Sequence, residues 1–193
     1  MTLHGFGDAS QKGVSAAVYT VVNQPSGETQ SLVAAKSRIA KRGLTIQRLK
    51  LVAAHMVTNL PTNVHKNLSS SSKVTIPQHA WLDSTVALYW IQGAGEYRQF
   101  VANCVAKIQA HPDIKWHHVP TEENPADLGS RGGQLTPLWL KGPSWLQDEM
   151  KWPPNPVIKP TSETQEEAKA MWKVLPVAVQ NPVDDPYLVL LGK

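Results

Sequence analysis

The chain carries a single cysteine, Cys104. One thiol excludes an internal disulfide and a cysteine-rich zinc site, and it fits a reducing, intracellular compartment. No apolar run approaches the roughly 18 residues that a membrane span requires. The N-terminus lacks the charged and apolar regions of a signal peptide, so neither a membrane partner nor secretion is expected. Charge is sparse as well: Asp, Glu, Lys and Arg make up 18% of the 193 residues. No Asp or Glu occurs between Ser31 and Ala80, so that stretch offers no carboxylate to any site. Internal repeats are also absent.

What is present can build a core. Hydrophobic residues make up 41% of the chain, enough for one domain of ordinary size with an extension. Seven tryptophans suggest packing anchors or a partner surface. The first 60 residues hold Lys12, Lys36, Arg38, Lys41, Arg42, Arg48 and Lys50 against only Asp8 and Glu28. Such a basic face beside a carboxylate is a nucleic-acid footprint, or else a solvated basic surface. On the first reading Lys36, Arg38, Lys41, Arg42 and Arg48 contact phosphates, giving salt-dependent, sequence-independent affinity.

The apolar patterning predicts three strands joined by short loops, Leu3–Asp8, Gly13–Val22 and Gln30–Arg38. Gly5 and Gly7 imply a bend or a close backbone approach. Gln24-Pro25-Ser26-Gly27 is a turn that pairs strands two and three. The period then becomes helical, with apolar residues at Ile46, Leu49, Val52 or Ala53, and Met56. Thr45 is a suitable N-cap and Pro61 is expected to stop the helix. Lys50 falls beside the buried stripe. A serine-rich loop over Asn67–Lys73 precedes a buried strand ending at Asp83. Ser84 opens a helix to about Ile91, Gly93-Ala94-Gly95 breaks it, and Tyr97–Ala110 is helical again. Ile114–Val119 is a fifth strand, and Asp127 lies in a short helix after Pro125.

Later strands that alternate with helices add to a sheet in parallel. The fold class is therefore α/β, a five-stranded mixed sheet flanked by helices, over residues 1–135. Residues 136–193 read as a Trp/Pro-rich arm and connector tail. Trp139 and Trp145 are expected to dock this arm, and Trp81 to sit in the core. Thr161–Ala168 reads as a capped but solvated acidic linker, and Pro182–Lys193 as an extended end.

Asp8 and Asp83 fall at strand carboxyl ends, where ligands gather in open α/β sheets, and Asp127 falls in the last helix of this unit. Taken singly, Asp8 reads as a turn or cap residue, Asp83 as a helix N-cap and Asp127 as a first-turn dipole partner. Together, three converging carboxylates suit Mg²⁺ or Mn²⁺. Two such ions about 3.5–4 Å apart form a clamp for phosphodiester hydrolysis. His117 and His118 are candidate accessory groups, although one of an adjacent pair in a strand must turn away. His4 and His55 read as structural.

The element order resembles ribonuclease H. Its particular strings resemble the ribonuclease H domain of LTR retrotransposon polyproteins of the BEL/Pao type. The strings are Gly7-Asp8-Ala9-Ser10, Ser37-Arg38-Ile39-Ala40, Gln47-Arg48-Leu49, Trp81-Leu82-Asp83-Ser84, Tyr97–Asn103, Trp116–Pro120, Asn124-Pro125-Ala126-Asp127 and Trp139-Leu140. The resemblance runs over residues 3–146. It implies RNA in RNA–DNA hybrids as substrate, and the reverse transcriptase and integrase parts of the same polyprotein as partners. It also implies a location in the cytoplasm, a retroelement particle or the nucleus. The tail after residue 146 resembles the connector toward integrase, and the abrupt end at Lys193 suits a segment of a longer chain.

The resemblance further implies a catalytic set of Asp, Glu, Asp and Asp. Asp8, Asp83 and Asp127 match three of them. The family's Arg-Leu-Glu-Leu string here reads Arg48-Leu49-Lys50-Leu51, so Lys50 replaces the expected Glu. Two units of charge change beside a metal site, at about 4 kcal/mol per unit interaction at 4 Å and an effective dielectric near 20. The expectation is an impaired nuclease that still folds, or a non-catalytic nucleic-acid-binding or structural module of the same fold. Lys50 is expected to bond Asp8 or Asp83 in place of a metal's charge.

Overall fold

The computed structural model describes residues 1–69 and 75–169. The expected end at Pro182–Lys193 lies outside the described residues. Three antiparallel strands come first: β1 (Thr2–Ala9), β2 (Gly13–Gln24) and β3 (Gly27–Ile39). Helix α1 (Ile46–Ser69) leads to β4 (Gln78–Leu82), then α2 (Thr85–Gln92), α3 (Gln99–Gln109) and β5 (Ile114–His118). A short α4 (Ala126–Arg131) follows. The five strands lie in the order β3-β2-β1-β4-β5, with β4 parallel to both β1 and β5. This is the expected mixed sheet, with β1 at its centre. The arm then adds α5 (Pro137–Lys141) and α6 (Ser162–Glu166).

Local chemistry sets the helix starts. The Arg48 amide donates to Thr45 Oγ1 at 3.4 Å, and the Ala87 amide donates to Ser84 Oγ at 3.2 Å. Each satisfies one of the amides that a first helical turn leaves unpaired. Pro61, by contrast, does not stop α1, and helix replaces the expected loop as far as Ser69. Proline removes the bond to the Val57 carbonyl, but its ring is buried against β1. A Cβ on Gly5 would lie 2.9 Å from the Pro61 ring, so the missing side chain makes room for it. A Cβ on Gly7 would lie 2.6 Å from Val57 Cγ2. Both glycines serve close approach of α1 to the central strand.

The sheet's two faces are covered differently. On the helix face, α1, α2 and α3 enclose Leu51, Ala54, Leu82, Val86, Leu88, Val101 and Ile108. On the arm face, Phe6, Tyr19, Trp81 and Val119 lie with Leu146 of the arm, and Trp139, Trp145 and Trp152 pack on them. Polar tips fix these anchors. Tyr19 Oη donates to the Trp139 carbonyl at 2.6 Å, and Trp152 Nε1 donates to the Leu146 carbonyl at 3.2 Å.

The acidic segment around α6 is not a solvated linker. Thr164 and Glu167 are buried, and Trp90 Nε1 donates to the Thr164 carbonyl at 3.4 Å. Its Thr161–Thr164 capping box starts a helical turn that docks on the folded unit.

Candidate functional site at the strand carboxyl ends

Asp8 is the penultimate residue of β1, and Asp83 directly follows β4. The two strands run parallel and adjacent, so both carboxylates emerge at the same end of the sheet. Lys50, in the second turn of α1, reaches both. Its Nζ lies 3.0 Å from Asp8 Oδ1 and 2.6 Å from each Asp83 oxygen. The Asp8 and Asp83 side chains are 1% exposed and that of Lys50 is 16% exposed. The remaining Asp8 oxygen accepts from Ser130 Oγ at 2.5 Å. Asp83 Oδ2 also accepts from Thr121 Oγ1 at 3.2 Å.

This is a buried ammonium shared by two carboxylates. Burial pulls the Lys50 pKa down, but Asp83 and then Asp8 outweigh it, and the net shift is upward. The ammonium is thus held more firmly than in water. Burial raises the Asp83 pKa, against the opposing pull of Lys50. Asp83 rises because its burial, with the nearby Asp8 charge, outweighs the one cation the two carboxylates share. A proton entering at Asp83 leaves a neutral Lys50–Asp8 pair, which costs less to bury than a net negative charge.

Asp127 does not join this cluster through its carboxylate. Its Oδ1 accepts from Arg131 Nε at 2.5 Å, in an exposed pair one helical turn apart. Its carbonyl accepts from Ser130 Oγ at 3.1 Å, so Asp127 touches the Asp8 site only through Ser130. The expected set of Asp8, Asp83 and Asp127 as joint metal ligands is not assembled. Among the described residues, no group of three His, Cys, Asp or Glu side chains is placed to hold a metal ion. All four oxygens of Asp8 and Asp83 already accept from Lys50, Ser130 or Thr121. The residues therefore do not fit Mg²⁺ or Mn²⁺, which need free carboxylate oxygens.

Lys36 and Arg38 are exposed at the end of β3, and Lys41 and Arg42 are exposed in the loop that follows. Arg48 is different. Its Nε and Nη2 donate to the two Glu167 oxygens at 2.6 and 3.1 Å. Its guanidinium also lies 5.3 Å from the centre of the Phe100 ring. Arg48 is thus not a free phosphate ligand, because a buried carboxylate from the arm already fills its fork.

The adjacent histidines separate. His118 lies beside Asp83: burial lowers its pKa and the Asp83 carboxylate opposes that fall. His117 turns to the arm face and away from the carboxylates. It stacks on Trp81 at 4.5 Å, and its Nε2 lies 3.0 Å from His79 Nδ1. His4 stacks on His79 at 5.0 Å, which completes a row of three imidazoles, two buried and His117 half-buried. Burial first, then the Lys115 ammonium, lowers His79 to about 4. Burial and then mainly the other histidines lower His4 to about 3 and His117 to about 4.

Sequence reasoning missed Ser130, Thr121, Arg131 and Glu167. Ser130 and Arg131 lie three and four places after Asp127, so helical spacing alone would have put both beside it. Nothing local marks Thr121 or Glu167, whose partners are 38 and 119 residues away.

Residues 1–84 match the family model described as the Pao retrotransposon-like RNaseH-like domain. Over that N-terminal stretch the chain is similar to a Pao retrotransposon-like ribonuclease H-like domain. The match takes in Asp8, Lys50 and Asp83. No curated protein matches the chain. Among solved structures, the domain is similar to ribonuclease H1 of Halobacterium salinarum at 16% identity and TM-score 0.43, covering 66% of this chain and 92% of that one. It is similar to the N-terminal ribonuclease H domain of a Mycobacterium tuberculosis protein at 14% identity and TM-score 0.45, covering 66% and 89%. The Thermus thermophilus RuvC structure is similar at 10% identity and TM-score 0.35, covering 81% and 86%.

Proposed function

We propose that this ribonuclease H-like domain binds the phosphate backbone of RNA–DNA hybrids within a retroelement polyprotein, beside reverse transcriptase and integrase parts, without hydrolysing the RNA. The observation that carries this reading is the Lys50 ammonium seated between Asp8 and Asp83 at 3.0 and 2.6 Å. Where the resembled family implies four carboxylates around divalent metal, one internal cation closes this site. Hydrolysis then has neither a metal-held water nor a group to stabilise the leaving oxygen. Binding needs neither of these. The exposed Lys36, Arg38, Lys41 and Arg42 supply a cationic end to the sheet, and their attraction to phosphate falls with salt.

Thermal melting with and without Mg²⁺, together with hybrid cleavage, tests this on the chain and on Lys50→Glu. The unaltered chain is expected to show no Mg²⁺-dependent shift and no cleavage. Lys50→Glu gathers three carboxylates, so its Tm falls without metal and recovers when Mg²⁺ is added. Metal-dependent cleavage by the unaltered chain at a rate near that of Lys50→Glu overturns the reading.

A further inference from the structure

Residues 161–169 cross the start of α1 and the turn between α2 and α3. This short segment carries Glu163, Glu166 and Glu167. It is held at both ends. The Thr164 carbonyl accepts from Trp90, the Arg98 amide donates to the Glu167 carbonyl at 2.7 Å, and the Lys169 amide donates to the Glu96 carbonyl at 3.0 Å. Glu163 accepts from the Gln47 side chain at 3.3 Å, and Gln47 in turn accepts from Ser84 Oγ at 3.2 Å. Glu167, 7% exposed, takes the guanidinium of Arg48. Gln47 and Arg48 lie within one turn of Lys50, and Ser84 follows Asp83. The segment therefore sits against the rim of the carboxylate site.

Its chemistry matches what that rim would otherwise meet. An arginine fork pairs with a carboxylate and with a phosphate in the same two-bonded geometry. Of the five basic residues expected to meet phosphate, Lys36, Arg38, Lys41 and Arg42 are exposed, while Arg48 is filled by Glu167.

We propose that residues 161–169 form an acidic strap that competes with nucleic-acid phosphate for Arg48. When the strap is docked, Glu167 neutralises Arg48 and narrows the cationic end of the sheet. When phosphate takes Arg48, the strap is released. This rests on the nucleic-acid reading above, and linkage makes it reciprocal: whatever loosens the strap tightens hybrid binding, and hybrid loosens the strap.

Amide hydrogen exchange over residues 161–169 of the full chain, with and without saturating RNA–DNA hybrid at low salt, tests the competition directly. Faster exchange in the strap on saturation is expected. Glu167→Gln is expected to tighten hybrid binding about fivefold, the worth of an ion pair of roughly 1 kcal/mol, and to steepen the salt dependence by about one phosphate. Adding Arg48→Gln should abolish both gains. Unchanged strap exchange under saturating hybrid overturns the proposal. Lys36→Ala with Arg38→Ala still weakens binding in that case, so the nucleic-acid reading survives it. A chain whose anisotropy signal stays flat with hybrid at low salt overturns that reading and the strap with it.

Discussion

The two faces of the central sheet solve one problem by different means. The helix face is closed by α1, α2 and α3, whose apolar residues recur at helical spacing and fill the space in many small contributions. The arm face is closed by a chain with little regular structure, which relies on a few large rings. Trp81 alone stacks or abuts Phe6, His117, Trp145 and Trp152 at 4.5–5.9 Å. Burial is distributed on one face and concentrated on the other. Concentrated burial makes the arm face more sensitive to a single substitution, and it sets a row of stacked imidazoles against the aromatic rings.

The largest break is expected at the centre of the arm face. Trp81 is fully buried, so Trp81→Ala should cost about 3–5 kcal/mol in chemical denaturation. It should also undock the arm, seen as proteolysis after residue 136. A comparable loss with the arm still protected would show that the aromatic stack does not hold it. On the helix face, Gly7→Val forces α1 away from β1, since even a Cβ meets Val57 at 2.6 Å. A cost of about 1–3 kcal/mol is expected, without release of the arm.

The smallest effect per group is that of pH. His4, His79 and His117 are held neutral in the fold, at about 3, 4 and 4. Their folded values lie below the unfolded value near 6.5, so the unfolded chain binds more protons in between. Stability should be fully present above about pH 6.5 and fall as the pH drops toward 4. Each histidine contributes up to about 1.4 kcal/mol per pH unit. Asp83, whose pKa burial raises, works in the opposite direction as it takes up a proton. A Tm that stays flat between pH 7 and 5 would show that the imidazoles are already solvated.

Much of the fold was legible because it is written in short-range pattern. The apolar run in Gly13–Val22, the helical stripe from Ile46, and the caps at Thr45 and Ser84 each act within a few residues. Pro61 misled because its cost is local but its compensation is not: the ring fits against Gly5, 56 residues earlier in the chain. The acidic strap misled in the same way. Glu163, Glu166 and Glu167 have the composition of a solvated linker until Arg48, 119 residues from Glu167, supplies the counter-charge. His117 and His118 could be assigned to opposite faces by alternation, but not to an aromatic row or a carboxylate.

The sequence by itself determined that a cation stands where a carboxylate was expected, because residue type is a local fact and no acid follows Lys50 before Asp83. It also determined the strand and helix order that sends Asp8 and Asp83 to one end of the sheet. Only the tertiary structure decided which groups share that cation. Asp8 and Asp83 close on Lys50 and are backed by Ser130 and Thr121, while Asp127 turns to Arg131. The reason is electrostatic and geometric together. A buried ammonium must be neutralised by the nearest buried anions, and only packing establishes which anions are buried and near.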